Sequence, residues 1–107
     1  MVINQYEIFW VNLDPTIGHE VKKTRPCVII SPDEMNHHIG TVMIAPVTST
    51  IKSYPSRVVC TIKTKKAAIM LDQIRTVDKR RLLNKIDKLS VKEIQQVKKV
   101  IKEMLVD

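Results

Sequence analysis

Five short β-branched and apolar runs, each stopped by a proline or a polar turn, follow one another with no helical repeat between them, which restricts the fold more than any other feature. The first spans Glu7 to Leu13, with Ile8, Phe9, Trp10 and Val11 at its centre, and stops at Asp14-Pro15-Thr16. Residues 14 to 24 read as a loop, after which Pro26 opens Cys27-Val28-Ile29-Ile30 and Ser31-Pro32-Asp33-Glu34 closes it. A third strand is expected from Thr41 to Ala45, ending at Pro46, and a fourth from Arg57 to Ile62 after the polar segment Thr48 to Ser56. The fifth is expected from Ala67 to Ile74. A parallel α/β sheet needs a helix between successive strands, so this pattern predicts a mainly β fold, a small barrel.

The C-terminal part follows a different period. Ser90-Val91-Lys92-Glu93 is a capping box, in which the serine hydroxyl and the glutamate carboxylate each satisfy an orphan N–H at a helix start. Val91, Ile94, Val97, Ile101, Met104 and Leu105 then recur at three- and four-residue steps, predicting a helix whose apolar stripe packs on the barrel. Asp78 is placed to cap a short helical turn through Leu83, with an extended piece near Ile86 to Leu89.

At 107 residues the chain makes one domain, residues 1–107, able to bury roughly two-thirds of its unfolded surface. Two glycines, Gly18 and Gly40, cannot build a phosphate-cradling P-loop or a dinucleotide fingerprint, so no nucleotide cofactor is expected. Cys27 and Cys60 match no C-x-x-C pattern and sit in apolar runs, predicting reduced core thiols. There is no signal-peptide pattern and no bilayer-length apolar run, which gives a cytoplasmic expectation and no membrane partner. The net charge of +7 favours a polyanionic partner. It is uneven, because residues 79 to 107 carry nine basic and four acidic side chains.

Arg25 precedes Pro26, and proline holds the residue before it in extended backbone, so the guanidinium is fixed at a strand mouth. There it can grip a phosphate bidentately and stabilise a pentacoordinate phosphorus, or instead form a surface salt bridge to Glu20 or Asp72. Thr48, Ser49 and Thr50 offer three hydroxyls after Pro46-Val47, suited to phosphate oxygens and equally to a plain turn. His19, His37 and His38 lack metal-ligand spacing, so no metal is expected; His19 can serve acid/base chemistry, as can Glu20, Asp72 and Asp78. With only Tyr6, Phe9, Trp10 and Tyr54 as aromatics, the stacking platforms of RRM-type binders are expected to be absent, so any nucleic-acid binding must lean on charge and hydrogen bonds.

Four segments together resemble the MazF/PemK toxins of toxin–antitoxin pairs. They are Leu13-Asp14-Pro15-Thr16-x-Gly18-x-Glu20, Lys23-Thr24-Arg25-Pro26, Ala45-Pro46-Val47-Thr48-Ser49, and Asp72 to Lys79 with Arg81-Leu82, in the family's order. The resemblance implies an SH3-like β-barrel with a C-terminal helix, a homodimer, and metal-independent, sequence-selective cleavage of single-stranded messenger RNA. It implies attack by the 2′-hydroxyl, leaving a 2′,3′-cyclic phosphate and a 5′-hydroxyl, with Arg25 and Thr48 as the catalytic pair and Glu20 orienting Arg25 or taking the proton. His19, Lys22, Ser49, Asp72 and Gln73 are the implied RNA contacts, and the implied partner is a MazE-like antitoxin with an acidic, disordered tail. Two departures stand out: Met70 occupies the place of an arginine used by a PemK-type branch, and Tyr6-Glu7 replaces the usual glycine-aspartate, a change expected to affect only the start of the strand. The competing expectations are a non-enzymatic toxin resembling CcdB, against which the Leu105-Val106-Asp107 ending argues, and a plain basic RNA-binding barrel.

Overall fold

The computed structural model describes residues 1–13 and 24–106. In chain order the elements are β1 (Glu7–Asn12), β2 (Thr24–Ile29), α1 (Asp33–His38), β3 (Thr41–Thr48), β4 (Arg57–Ile62), β5 (Lys65–Met70), β6 (Arg75–Asp78), β7 (Leu82–Lys88) and α2 (Val91–Leu105). The strands pair antiparallel in the order β4-β5-β3-β2-β1-β7, with β6 also on β3. Two register shifts along β1 bend it against β7, and the sheet curls into a half-barrel.

Both faces of this sheet are buried, which follows from the unbroken apolar runs of its central strands. Ile8, Val28, Ala45, Val47, Val58, Cys60 and Ile69 fill one side together with Val97 and Val100 of α2. Phe9, Val11, Cys27, Ile29, Val42 and Ile44 turn the other way and pack with Val77 and Leu82. Each fully buried Val, Ile or Phe contributes on the order of 1.5–3 kcal/mol, so the alternation fixes the register of every central strand. The helix stripe is shorter than its periodicity predicts. Val97 and Val100 are buried and Ile94 and Ile101 pack beside them, whereas Val91, Met104 and Leu105 stay exposed.

The capping box is present as expected: Ser90 Oγ accepts from Glu93 N–H at 3.1 Å and Glu93 Oε1 accepts from Ser90 N–H at 2.8 Å. Asp78 caps a 3-10 turn over Lys79–Arg81, accepting from Arg80 N–H, and β7 then extends further than the piece expected near Ile86. Three other expectations are corrected. The strand expected from Ala67 to Ile74 stops at Met70, gives way to a 3-10 turn over Leu71–Gln73, and is followed by a separate strand, β6, from Arg75. The break lets β5 pair with β4 and the end of β3 while β6 pairs with the beginning of β3. The strand β3 does not end at Pro46 but runs on to Thr48. Proline is tolerated there because that edge of β3 passes from β6, last paired at Ile44, to β5, first paired at Val47. The turn expected at Ser31-Pro32-Asp33-Glu34 leads into α1, whose first turn carries Asp33 and Glu34.

The substitution at Tyr6-Glu7 reaches beyond the start of the strand. Tyr6 adopts a left-handed backbone (φ 69°), the conformation a glycine takes without strain. The Glu7 carboxylate accepts from Asn4 N–H and from Lys85 Nζ, each at 2.7 Å, tying β1 to β7. No helix among the described residues is long and apolar enough to cross a membrane. Cys27 and Cys60 are buried free thiols, as expected, and burial pushes both up to about 12.

Candidate functional site

Two strands position the candidate pair. The sequence R-P keeps Arg25 extended inside β2, and β3 carries Thr48 at its last position. The β2–β3 register pairs Ile29 with Ile44, Val28 with Ala45 and Cys27 with Pro46. Arg25 and Thr48 lie two residues beyond the last of these pairs on their strands, and both border one cavity. Arg25 is paired with Val11 of β1, and Thr48 with Ala68 of β5.

The hydroxyl of Thr48 is oriented by its own turn. Its Oγ1 accepts from Thr50 N–H at 3.2 Å, which uses a lone pair and leaves the hydroxyl proton free to donate. No carboxylate among the described residues pairs with Arg25. The salt-bridge alternative from Arg25 to Asp72 is overturned, because Asp72 is held by Arg57 at 2.9 Å and by Ser56 Oγ at 3.1 Å. The hydrogen bond from Arg57 keeps the Asp72 carboxyl below its ordinary range. Gln73 is exposed in the adjoining 3-10 turn, and Ser49 is exposed just after Thr48. The expected contacts His19, Glu20 and Lys22 lie outside the described residues.

Arg25, Thr48 and Ser49 border a cavity of about 730 Å³. Its apolar lining comes from Trp10, Pro26, Val47 and Ile62, and the β4–β5 hairpin adds Lys63, Lys65 and Lys66. Arg25 and Arg75 both lower the Cys27 thiol against the larger upward effect of burial. Hydroxyls beside clustered cations and an open cavity suit a phosphodiester, whose oxygens accept both kinds of hydrogen bond. Sequence reasoning missed the hairpin lysines, which only strand pairing brings to the cavity that Arg25 borders. The motif Thr61-Ile62-Lys63-Thr64-Lys65-Lys66 did carry a signal, a basic turn between β-branched residues.

Among the described residues no group of three His, Cys, Asp or Glu side chains is placed to hold a metal ion. His37 and His38 are exposed at the end of α1, and His37 Nε2 lies 3.0 Å from Asn4 Oδ1.

This arrangement defines a class: a small curled β-sheet with one terminal helix and a cavity bordered by basic and hydroxyl side chains. The chain belongs to the PemK-like, MazF-like toxins of type II toxin–antitoxin systems, whose family model matches residues 4–105. It is 34% identical over 106 residues to endoribonuclease MazF9 of Mycobacterium tuberculosis, covering 90% of each chain. It is 30% identical over 100 residues to the endoribonuclease toxin MazF of Escherichia coli K12, covering 92% of this chain and 90% of that protein. The solved MazE–MazF structure from Deinococcus radiodurans superposes with a TM-score of 0.84 at 25% identity, over 99% of this chain and 97% of the other.

Proposed function

We propose that this toxin is an endoribonuclease that cuts single-stranded messenger RNA at selected sequences in the cytoplasm without a metal ion. The observation that supports the reading is that Arg25 and Thr48 border one cavity, with no carboxylate among the described residues pairing the guanidinium. Relatives named endoribonucleases at 30% and 34% identity support RNA as the substrate.

In this mechanism the ribose 2′-hydroxyl gives up its proton to the base and attacks the adjacent phosphorus, the bond to the 5′-oxygen breaks, that oxygen takes a proton from Arg25, and the products are a 2′,3′-cyclic phosphate and a 5′-hydroxyl. Arg25 neutralises the charge that builds on the phosphorane, the work a metal ion does elsewhere, and the free Thr48 proton holds a nonbridging oxygen in line. Glu20 is the proposed orienting group or proton acceptor, since an arginine holds its own protons too tightly to be an easy base. His19, Lys22, Ser49 and Gln73 are proposed to line the RNA path; Asp72 is committed to Arg57 and acts on the path through that residue. Two copies of the chain form the proposed working unit, and the proposed antitoxin is MazE-like with an acidic tail, a pairing supported by the solved MazE–MazF relative.

Primer extension on a long RNA incubated with the purified protein and a chelator tests this directly and maps the cleaved sequence. Arg25→Ala is expected to lose on the order of 10² to 10³ in rate while melting as the native protein does. Thr48→Ser is expected to retain cutting that Thr48→Val loses. Cleavage only when a divalent ion is supplied, or an Arg25→Ala variant as active as the parent, would overturn the proposal.

A further inference from the structure

The loop that follows Thr48 carries an aromatic ring whose placement nothing above explains. Tyr54-Pro55-Ser56-Arg57 is a β-turn in which Arg57 N–H donates to the Tyr54 carbonyl at 3.0 Å, with proline at the position whose φ it presets. The turn brings its first and fourth side chains together, and the Arg57 guanidinium lies 5.0 Å from the centre of the Tyr54 ring. Arg57 is itself only 12% exposed and donates to both oxygens of Asp72, from Nε at 2.9 Å and from Nη2 at 3.4 Å. Ser56 Oγ donates to the same carboxylate at 3.1 Å, and Leu71 N–H donates to the Ser56 carbonyl at 3.1 Å. Ring, guanidinium and carboxylate therefore form a stack fixed from behind, yet Tyr54 remains 50% exposed.

We propose that Tyr54 is a stacking platform for one base of a single-stranded RNA, positioned by Arg57 and Asp72. An aromatic ring held in one orientation and half in water buries too little to serve the core, whereas a preset π-face is what an unstacked base uses. Its place fits the catalytic pair. Thr48 is paired with Ala68, and Arg57 with Met70 two residues along and one strand further out. Strand spacing puts the Thr48 and Arg57 Cα atoms roughly 12 Å apart, a span that a few nucleotides bridge. The proposal rests on RNA being the substrate, and it gives Asp72 a positioning role in place of the direct RNA contact expected from sequence. It also replaces the expectation that nucleic-acid binding leans on charge and hydrogen bonds.

The test is binding rather than cutting. Anisotropy of a labelled, mixed-sequence 2′-O-methyl RNA, which cannot react, is measured for the full chain over a salt series. Tyr54→Phe keeps the π-face and is expected to retain affinity. Tyr54→Leu is expected to weaken binding roughly 10-fold at every salt concentration, with the slope of log K against log salt unchanged. Arg25→Ala, a phosphate contact, is expected instead to lower that slope by about 1. A Tyr54→Leu variant that melts like the parent and binds RNA as tightly would overturn the proposal and leave the ring to a protein partner. A loss that disappears as salt rises would also overturn it. Cleavage of unmodified RNA is scored separately: RNA bound through Tyr54 but never cut removes the nuclease reading alone, and RNA cut by a protein indifferent to Tyr54→Leu removes this one alone.

Discussion

Glu93→Ala tests whether the start of α2 and the outer sheet edge are one cooperative unit. Besides completing the capping box through Oε1, Glu93 accepts from Thr61 N–H through Oε2 at 2.8 Å, so one carboxylate closes a helix start and satisfies an edge-strand donor on β4. Ser90→Ala removes the hydroxyl half of the box alone and is expected to cost about 1 kcal/mol. Glu93→Ala removes two carboxylate hydrogen bonds; each is exposed, so water replaces part of it and each is worth roughly 0.5–1.5 kcal/mol. The total of about 1–3 kcal/mol corresponds to a Tm lower by roughly 5–15 °C for a chain of this size. Thermal melts of both variants at one protein concentration give the comparison, and hydrogen exchange at the Thr61 amide reports the strand edge itself. Thr61 exchange is expected to speed up in Glu93→Ala and to stay unchanged in Ser90→Ala. If Glu93→Ala melts with the parent, or leaves Thr61 exchange untouched, the carboxylate does not join helix to sheet and the reasoning fails.

Two further predictions follow from the same packing. Backbone hydrogen bonds from Lys63 and Lys88 hold the Asp87 carboxyl below its ordinary range, as the Arg57 hydrogen bond does for Asp72. Their stabilising contribution is therefore complete above the unfolded carboxylate value of about 4 and is lost as pH falls through the lower folded values; Asp87→Asn is expected to lower the neutral plateau of a urea-midpoint profile and to flatten its acid limb. Lys63 sits in the left-handed region (φ 59°) at the β4–β5 turn, where a side chain is strained. Lys63→Gly is expected to raise stability by about 0.5–1 kcal/mol, read as a higher urea midpoint, and to weaken RNA binding with a shallower salt slope.

What the sequence determined by itself was local. The capping box at Ser90 and Glu93, the Asp78 cap, the extended backbone at Arg25-Pro26 and the apolar strands all depend on neighbours within a few residues, and so were legible from order alone. The helix α1 was missed because six residues are too few to show a period, although Pro32 followed by two acids was a start signal. The tertiary structure decided everything that needs a partner from another strand. Whether Asp72 meets Arg25 or Arg57 depends on how β5 pairs with β4, and whether β5 runs on past Met70 or gives way to β6 depends on β3 needing two partners along one edge. The same curl brings the hairpin lysines to the cavity that Arg25 borders. A side chain's rotamers and caps are set by the chain beside it, but the partner of a charge is set by which distant strand the burial of both sheet faces forces alongside.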